Sequence, residues 1–231
     1  FPFKEGVVGS NPTRLTKLKK VEIKFKKFWR KSSFKKRVDG DFLLNHIKFK
    51  KPRNFLEIGV FHGVTSRNVC ELLYNLHADN FTFTGIDLFS KKKEILESEY
   101  APKTYFSNPF KNIYYKYIIR LDPYSIESVN KLLKKFKKNI KIIEGNSNDV
   151  LKSLDLKEVD YVFLDGGHKY ETVKNDLESL IQVINNKGIV LCDDYNLTYA
   201  PGIKKAIDEY VIKNKFSLNI LNFRFAEITK K

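Results

Sequence analysis

The chain has 231 residues, a formal net charge of +16, 42% hydrophobic residues and 14% aromatic residues. This length suits one α/β domain with an appendage, and the apolar content excludes global disorder. No apolar run approaches the roughly 20 residues that span a bilayer, and no signal-peptide pattern is visible.

Most of the positive charge lies at the start of the chain. Residues 1–37 contain thirteen Lys or Arg and two Glu, a net charge of +11, so the other 194 residues carry only +5. Apolar residues recur there at roughly helical spacing, namely Leu15, Leu18, Phe25, Phe28 and Trp29. We predict a basic helical segment over residues 1–40. It either contacts an anionic membrane or nucleic acid through residues 14–37, or packs one apolar stripe on the domain that follows, and we favour packing.

Residues 41–231 are predicted to form the main domain. Its predicted elements, in chain order, are a helix over 41–49, strand 54–60, helix 65–76, strand 81–87, helix 124–138, strand 140–144, helix 149–154, strand 159–164, helix 170–184, strand 189–192, helix 202–214 and strands 216–221 and 225–229. Residues 89–123 show no clean period and are rich in Tyr, Phe and Lys, which is typical of an inserted lid over a substrate. The alternation predicts a doubly wound, Rossmann-like, seven-stranded α/β sheet with a C-terminal antiparallel hairpin.

The first predicted strand runs into a turn punctuated by glycines, Phe55-Leu56-Glu57-Ile58-Gly59-Val60-Phe61-His62-Gly63. A helical pattern then opens at Thr65, and the second strand ends in Asp87. This is one βαβ unit with a nucleoside-binding layout, because glycines let the backbone approach a ligand and the acid can bond ribose hydroxyls. Residue 61 is Phe, so a dinucleotide fingerprint is absent. The form Glu-x-Gly-x-x-x-Gly resembles motif I of class I S-adenosylmethionine (SAM)-dependent methyltransferases, which implies that Glu57, Gly59, Gly63 and Asp87 bind that cofactor.

Polar residues follow five of the predicted strands. In parallel sheets, ligands bind beyond the carboxyl ends of the strands. Any one of these residues could instead cap a helix or a turn, but all five together indicate a site. The predicted cofactor site therefore also includes Asn146, Ser147 and Asp165.

Asp165, Asp193 and Asp194 form a sharper subset. They follow two strands expected to be neighbours about 4.8 Å apart. Carboxylates at that distance repel one another unless a proton or a cation lies between them. Oxygen ligands favour a hard divalent ion, with Mg²⁺ first and Mn²⁺ or Ca²⁺ as alternatives. His168 is a candidate general base or substrate-orienting group, with helix capping as the simpler alternative.

Four stretches, residues 164–171, 176–177, 188–195 and 201–208, resemble methyltransferase family 24 and the related macrocin- and mycinamicin-type sugar O-methyltransferases. The resemblance covers about residues 53–230. It implies that Asp165, Asp193 and Asp194 hold Mg²⁺ and that Asp165 also acts as a base. The sequence departs from the macrolide-tailoring enzymes at Gly167 and His168, where those enzymes usually carry a further acid.

These observations predict a metal-assisted, SAM-dependent O-methyltransferase that acts on a sugar hydroxyl of a glycoconjugate, polysaccharide or natural product. The alternatives are an RNA or protein methyltransferase, and a non-catalytic basic binding module on the same fold. The expected partners are a small-molecule or glycan acceptor and a second copy of the chain. Cys70 and Cys192 are predicted to be reduced core residues, which favours a cytoplasmic location, at the membrane surface if the basic segment is an anchor. The chain contains no methionine, so we expect residues before Phe1.

Overall fold

A computed structural model describes residues 24–90, 92, 99, 103–154, 156 and 158–230. The strands are β1 (Asn54–Ile58), β2 (Thr82–Asp87), β3 (Ile140–Glu144), β4 (Val159–Leu164), β5 (Ile184–Cys192), β6 (Ser217–Leu221) and β7 (Phe225–Thr229). The α-helices are α1 (Arg37–Lys50), α2 (Val64–His77), α3 (Pro109–Ile113), α4 (Ile126–Leu132), α5 (Ser147–Ser153), α6 (Tyr170–Leu180) and α7 (Pro201–Asn214). A π-helix (Tyr114–Ile119) continues α3, and a 3₁₀ turn (Lys134–Phe136) follows α4.

The strands form one seven-stranded sheet in the order β3-β2-β1-β4-β5-β7-β6. Strands β1 to β5 run parallel to one another, whereas β7 is antiparallel to both β5 and β6. The predicted doubly wound sheet and its C-terminal hairpin are therefore confirmed.

Each face of the sheet carries its own apolar core. One core combines alternate strand residues such as Phe83 and Phe163 with side chains of α1 and α2, including Leu44 and Val69. The other core packs strand residues such as Val162 against α5, α6 and α7. Apolar side chains therefore point to both faces of the central strands, as is usual for a parallel sheet covered on both sides. Cys70 and Cys192 are confirmed as buried free thiols.

The basic segment differs from its prediction. Residues 24–36 form turns and bends rather than a helix, and residues 1–23 lie outside the described part of the chain. Phe25 and Phe34 are fully buried in the core beside α1 and α2, with their rings in a T-shaped, edge-to-face contact at 5.4 Å between centroids. Phe28 and Trp29 have φ values of 47° and 62°, which a helix does not allow. Phe25 and Phe34 are buried against residues distant in sequence, and this burial stabilises a non-helical backbone despite the helical spacing of the apolar residues. The helical prediction is therefore wrong for residues 24–36.

Two further boundaries differ because of local geometry. Strand β5 begins at Ile184 and not at residue 189 as predicted, and a register shift opposite Val159 accompanies the longer strand. A Cβ on Gly188 would lie 2.4 Å from Ile184 Cγ1, so this irregularity needs glycine. The region without a clean period, 89–123, contains α3 and the π-helix. None of the helices in the described residues has the length and apolar character needed to cross a bilayer.

Candidate active site

The ends of four parallel strands bring the predicted site residues to one edge of the sheet. Ile58, the last residue of β1, pairs with Ile86 of β2 on one side and Leu164 of β4 on the other. Leu164 in turn pairs with Cys192 of β5. The residues that end or follow these strands therefore lie side by side, and they are Gly59, Asp87, Asp165 and Asp193.

Gly59 allows the backbone after β1 to pass close to the backbone after β4. Its φ is +94°, and a Cβ at this position would lie 1.9 Å from the carbonyl oxygen of Asp165. The amide of Gly59 donates a hydrogen bond to the carbonyl of Ile86 at 2.9 Å. Gly63 has a φ of +73° immediately before α2. Both glycines therefore shape the loop that would face the cofactor.

Glu57 lies beneath that loop and is fully buried. Ser66 of α2 donates a hydrogen bond to its Oε2, while Oε1 has no partner among the described residues. Burial raises the pKa of Glu57 to about 8, so the carboxyl group is mainly protonated at neutral pH. The predicted role of Glu57 in cofactor binding stays a prediction.

Asp87 ends β2 as predicted, and its carboxylate is already well bonded. It accepts hydrogen bonds from the amides of Phe61 and Phe89, both at 2.8 Å, and from the Tyr124 hydroxyl at 3.0 Å. Burial raises the pKa of Asp87, and these three donors oppose that shift. The carboxylate is thereby fixed beside the Gly59–Gly63 loop, where the sequence places a ribose-binding acid.

The Asn146–Ser147 turn begins α5 at the same edge. The Asn146 side chain caps this helix by accepting a hydrogen bond from the Asn148 amide at 3.0 Å. The Ser147 hydroxyl donates to Asp176 of α6, whose pKa burial raises to about 7. Both side chains thus have structural partners, and their predicted contact with the cofactor stays a prediction.

The structure brings the three predicted metal ligands together. Oxygen atoms of Asp165, Asp193 and Asp194 all lie within 4.8 Å of one another. Burial raises the pKa of Asp165 well above its usual range, and the charges of the other two acids raise it further. Burial also raises the pKa of Asp193, to about 6. This edge of the sheet is therefore a strongly negative, partly protonated cluster.

Arg224, in the turn immediately before β7, is the positively charged partner of this cluster, and the sequence did not indicate it. Its Nε and Nη2 lie 2.5 and 2.7 Å from the two oxygens of Asp193, and its Nη2 lies 3.2 Å from Asp194. The guanidinium also lies 4.9 Å from the centre of the Phe34 ring. These carboxylates raise the pKa of Arg224, so the side chain stays charged. Only the antiparallel pairing of β7 with β5 brings Arg224 to the cluster.

His168 lies beside this cluster, and a hydrogen bond to the insertion determines which of its two ring nitrogens carries the proton. Its Nδ1 donates to the backbone carbonyl of Glu99 at 3.0 Å, and its Nε2 lies 3.4 Å from Asp194. The Glu99 carboxylate accepts hydrogen bonds from the His168 amide at 3.1 Å and from the Thr172 hydroxyl at 2.9 Å. His168 therefore has one nitrogen free to take a proton, with a carboxylate placed to stabilise the imidazolium.

His62 is a second histidine at this edge that sequence reasoning did not assign. It is fully buried, its Nε2 donates to the Thr104 carbonyl at 2.9 Å, and burial lowers its pKa to about 3. Arg30 donates hydrogen bonds to the carbonyls of His62 and Pro123 and to Ser128. The neutral His62 ring and Arg30 thus tie the motif I loop to the insertion and to the N-terminal segment.

A cleft of about 360 Å³ opens within the insertion, next to the contact of Thr104 with His62. Its lining combines aromatic rings with polar and cationic side chains, including Tyr105, Asn112, Tyr115, Lys116 and Arg120. Together with Glu99, the insertion therefore reaches both the Gly59–Gly63 loop and the acidic cluster.

A Rossmann-like sheet with a reversed β7, a motif I loop after β1 and an acid at the end of β2 defines the class I SAM-dependent methyltransferases. A family model described as a methyltransferase domain, methyltransferase family 24, matches residues 56–195. The chain belongs to this family.

Solved structures support the same fold. The methyltransferase PaMTH1 of Podospora anserina, solved with S-adenosylhomocysteine, is 18% identical with a TM-score of 0.58 over 85% of this chain and 79% of that one. The O-methyltransferase NovP is 18% identical, with a TM-score of 0.60 over 82% and 79%. CalS11, a TDP-rhamnose 3′-O-methyltransferase of calicheamicin biosynthesis, is 16% identical, with a TM-score of 0.57 over 83% and 79%. No curated protein matches the chain.

We expect Asp87→Ala to weaken SAM binding at least tenfold. A charge-assisted hydrogen bond contributes roughly 1.5–3 kcal/mol, and the variant loses those made to the ribose hydroxyls. Isothermal titration calorimetry on the folded variant measures the change. Asp160→Ala is a matched control, because Asp160 also accepts two backbone hydrogen bonds of 2.8 Å but lies at the opposite end of the sheet. Equal affinities for Asp87→Ala and the wild type would remove Asp87 from the cofactor site.

Proposed function

We propose that this methyltransferase transfers the methyl group of SAM to a sugar hydroxyl in a glycoconjugate, polysaccharide or natural product, with the help of a divalent cation. The observation that carries the proposal is the meeting of Asp165, Asp193, Asp194 and His168 at the edge that holds the motif I loop. A site of this composition can bind a hydroxyl-bearing acceptor and remove its proton.

The acidic cluster fits a hard divalent ion by its chemistry. All donors are carboxylate oxygens, which Mg²⁺ prefers. Three ionised carboxylates and the Arg224 guanidinium leave two negative charges, which one divalent ion would balance. Asp165, Asp193 and Asp194 would hold the ion, with Arg224 as a competitor for Asp193. A bound ion would supply a positive charge close to the acceptor oxygen.

His168 is the better candidate for the base. A cation at the cluster would be held by the Asp165 oxygens, which would leave that carboxylate a weaker proton acceptor than a side chain outside the ligand set. His168 Nε2 can take up a proton, because Nδ1 is the nitrogen that donates to Glu99, and Asp194 lies 3.4 Å from Nε2 and can pair with the imidazolium. SAM supplies the electrophilic methyl group, and the protein aligns the acceptor oxygen with it and excludes water, which can contribute several kcal/mol. We therefore assign proton removal to His168 and keep Asp165 as ligand.

The choice of a sugar acceptor is supported by the cleft and by the similar structures. Tyr105 and Tyr115 line the cleft together with Asn112, and aromatic faces with amide groups suit a polyhydroxylated ring. CalS11 is described as a TDP-rhamnose 3′-O-methyltransferase. We place the insertion over the acceptor and the enzyme in the cytoplasm, where both free thiols persist. Self-association stays a prediction.

A screen of acceptors tests the proposal. Purified protein with radiolabelled SAM is offered free sugars, nucleotide sugars, polysaccharides and total RNA in parallel reactions. We expect label in a sugar-containing fraction that is lost with His168→Gln. RNA is the second candidate acceptor, because of the basic segment, and label in RNA alone would replace the sugar proposal.

The metal requirement has its own expected outcome. We expect EDTA to suppress methyl transfer and Mg²⁺ to restore it, while SAM affinity measured by calorimetry changes little. Asp193→Asn and Asp194→Asn should raise the Mg²⁺ concentration needed for half-maximal activity. Full activity in EDTA would show that the guanidinium of Arg224 is the only cation that the cluster requires.

A further inference from the structure

An apolar face of the insertion is open to solvent. Along α3 and the π-helix, Phe110 is 77% exposed, Ile113 53%, Tyr117 61% and Ile118 68%. Phe110, Ile113 and Tyr117 are spaced three and four residues apart and Ile118 follows directly, so the four side chains share one side of the continuous helix 109–119. Trp29 is 56% exposed and lies beside them, with its ring 5.0 Å from that of Tyr114.

Positive charge surrounds these side chains. Residues 103–121 contain four cations (Lys103, Lys111, Lys116 and Arg120) and no acid. Residues 24–38, which contribute Trp29, contain seven cations besides the buried Arg30 and no acid. Lys111 Nζ lies 5.3 Å from the centre of the Trp29 ring, so the two stretches meet in one continuous patch.

Core packing does not account for this patch, because its apolar side chains are mostly exposed. An ordinary solvated helix face does not account for it either, because such a face is polar. A cluster of exposed Trp, Tyr, Phe and Ile with surrounding Lys and Arg matches the chemistry of a membrane interface. There the apolar side chains lie at the level of the headgroups, and the cations pair with lipid phosphates.

We propose that Trp29, Phe110, Ile113, Tyr117 and Ile118, with the surrounding Lys and Arg side chains, form a surface that docks on an anionic lipid bilayer. This docking surface is separate from the acidic cluster and does not depend on the identity of the acceptor. The apolar side chains anchor it, and the charges give the preference for anionic lipid. Docking would hold the cleft of the insertion, which shares Lys116 and Arg120 with the patch, next to the membrane.

Two other occupants fit less well. RNA would stack on the aromatic rings, but Ile113 and Ile118 offer no stacking face. A second copy of the chain in a two-fold interface would bring the same patch against itself. That arrangement would oppose cations on both sides without an acid to pair them.

Co-sedimentation of the full chain with lipid vesicles tests the docking surface. The vesicles contain phosphatidylcholine alone or with phosphatidylglycerol, and salt is varied. We expect binding to the anionic vesicles that weakens as salt rises. The double variant Phe110→Ser with Ile118→Ser should lower the partition coefficient by about tenfold or more. The matched control is Phe49→Ser with Ile212→Ser, two side chains that are 80% and 77% exposed on α1 and α7. It should bind like the wild type.

Three results would overturn the proposal. The first is that the full chain binds neither kind of vesicle. The second is that the Phe110 and Ile118 double variant binds vesicles as well as its control, which would show that the charges of other residues cause the binding. The third is that the double variant loses affinity for RNA, or loses a dimer seen by sedimentation velocity, without any change in vesicle binding. Thermal unfolding of each variant checks that it is folded, because these exposed substitutions should leave the melting temperature nearly unchanged.

Discussion

Arg224→Met should destabilise the protein by about 3–5 kcal/mol, the usual cost of leaving a buried charge without its partner. Asp193 is 4% exposed, and both of its oxygens are bonded to Arg224. Methionine can still pack its side chain against the Phe34 ring, but it loses the guanidinium that lies over that ring and leaves Asp193 and Asp194 without this cation. Chemical denaturation at neutral pH in EDTA measures the loss. Arg53→Met, which changes an exposed arginine, is the control and should cost little.

The loss should depend on pH in a defined direction. Burial raises the pKa of Asp193 to about 6, above its usual value of about 3.9, so its contribution to stability is fully present below that lower value and lost as pH rises through 6. Removing Arg224 raises this pKa further. Protonated Asp193 needs no counter-cation, so the difference between wild type and Arg224→Met should shrink as pH falls toward 6 and change little below that value.

A second substitution separates charge from packing. Asp193→Asn in the Arg224→Met background should recover much of the lost stability, because the buried charge is gone. Mg²⁺ should also recover part of it if the cluster binds the ion. A loss for Arg224→Met at neutral pH no larger than that for Arg53→Met would contradict this account of the cluster.

His168→Gln should lower kcat by about 100- to 10,000-fold, the usual contribution of a positioned base, while SAM affinity stays near that of the wild type. Glutamine can still donate a hydrogen bond to the Glu99 carbonyl, but it cannot take up a proton. Initial rates with the best acceptor from the screen, together with calorimetry of SAM binding, test both expectations.

His77→Gln is the matched control, because His77 lies in the last turn of α2, at the end of the helix remote from the site. It should leave kcat unchanged. A kcat for His168→Gln within about tenfold of the wild type would move the role of base to Asp165. Asp165→Asn should then lower kcat, with Mg²⁺ held at saturation so that lost metal affinity does not contribute.

Much of this site followed from local patterns in the sequence. Period-two and period-3.6 hydrophobicity located the strands and most helices, because one face of each must be buried. Gly59, Asp87, Asp165 and Asp193 could be placed at one edge because parallel strands all end on the same side of the sheet. Asp194 followed as the neighbour of Asp193. These inferences needed only the order of elements along the chain.

Other parts of the site depend on contacts between residues far apart in sequence. Arg224 reaches Asp193 because β7 runs antiparallel beside β5, and no local motif marks an arginine in a hairpin turn as the partner of an acid 31 residues earlier. Glu99 positions His168 from 69 residues away. Neither partner can be read from spacing, because loop conformation decides which side chains meet.

The sheet, the cofactor motif and the acidic edge could be predicted from local patterns, because strand periodicity and the order of strands along the chain are properties of the sequence. The surroundings of these features depend on packing between distant residues. The buried rings of Phe25 and Phe34 replace the predicted helix over residues 24–36, because apolar burial against α1 and α2 stabilises more than a helix open to solvent. Tertiary packing likewise decided which face of α3 and the π-helix stays exposed, since exposure depends on the neighbours that a segment finds after folding.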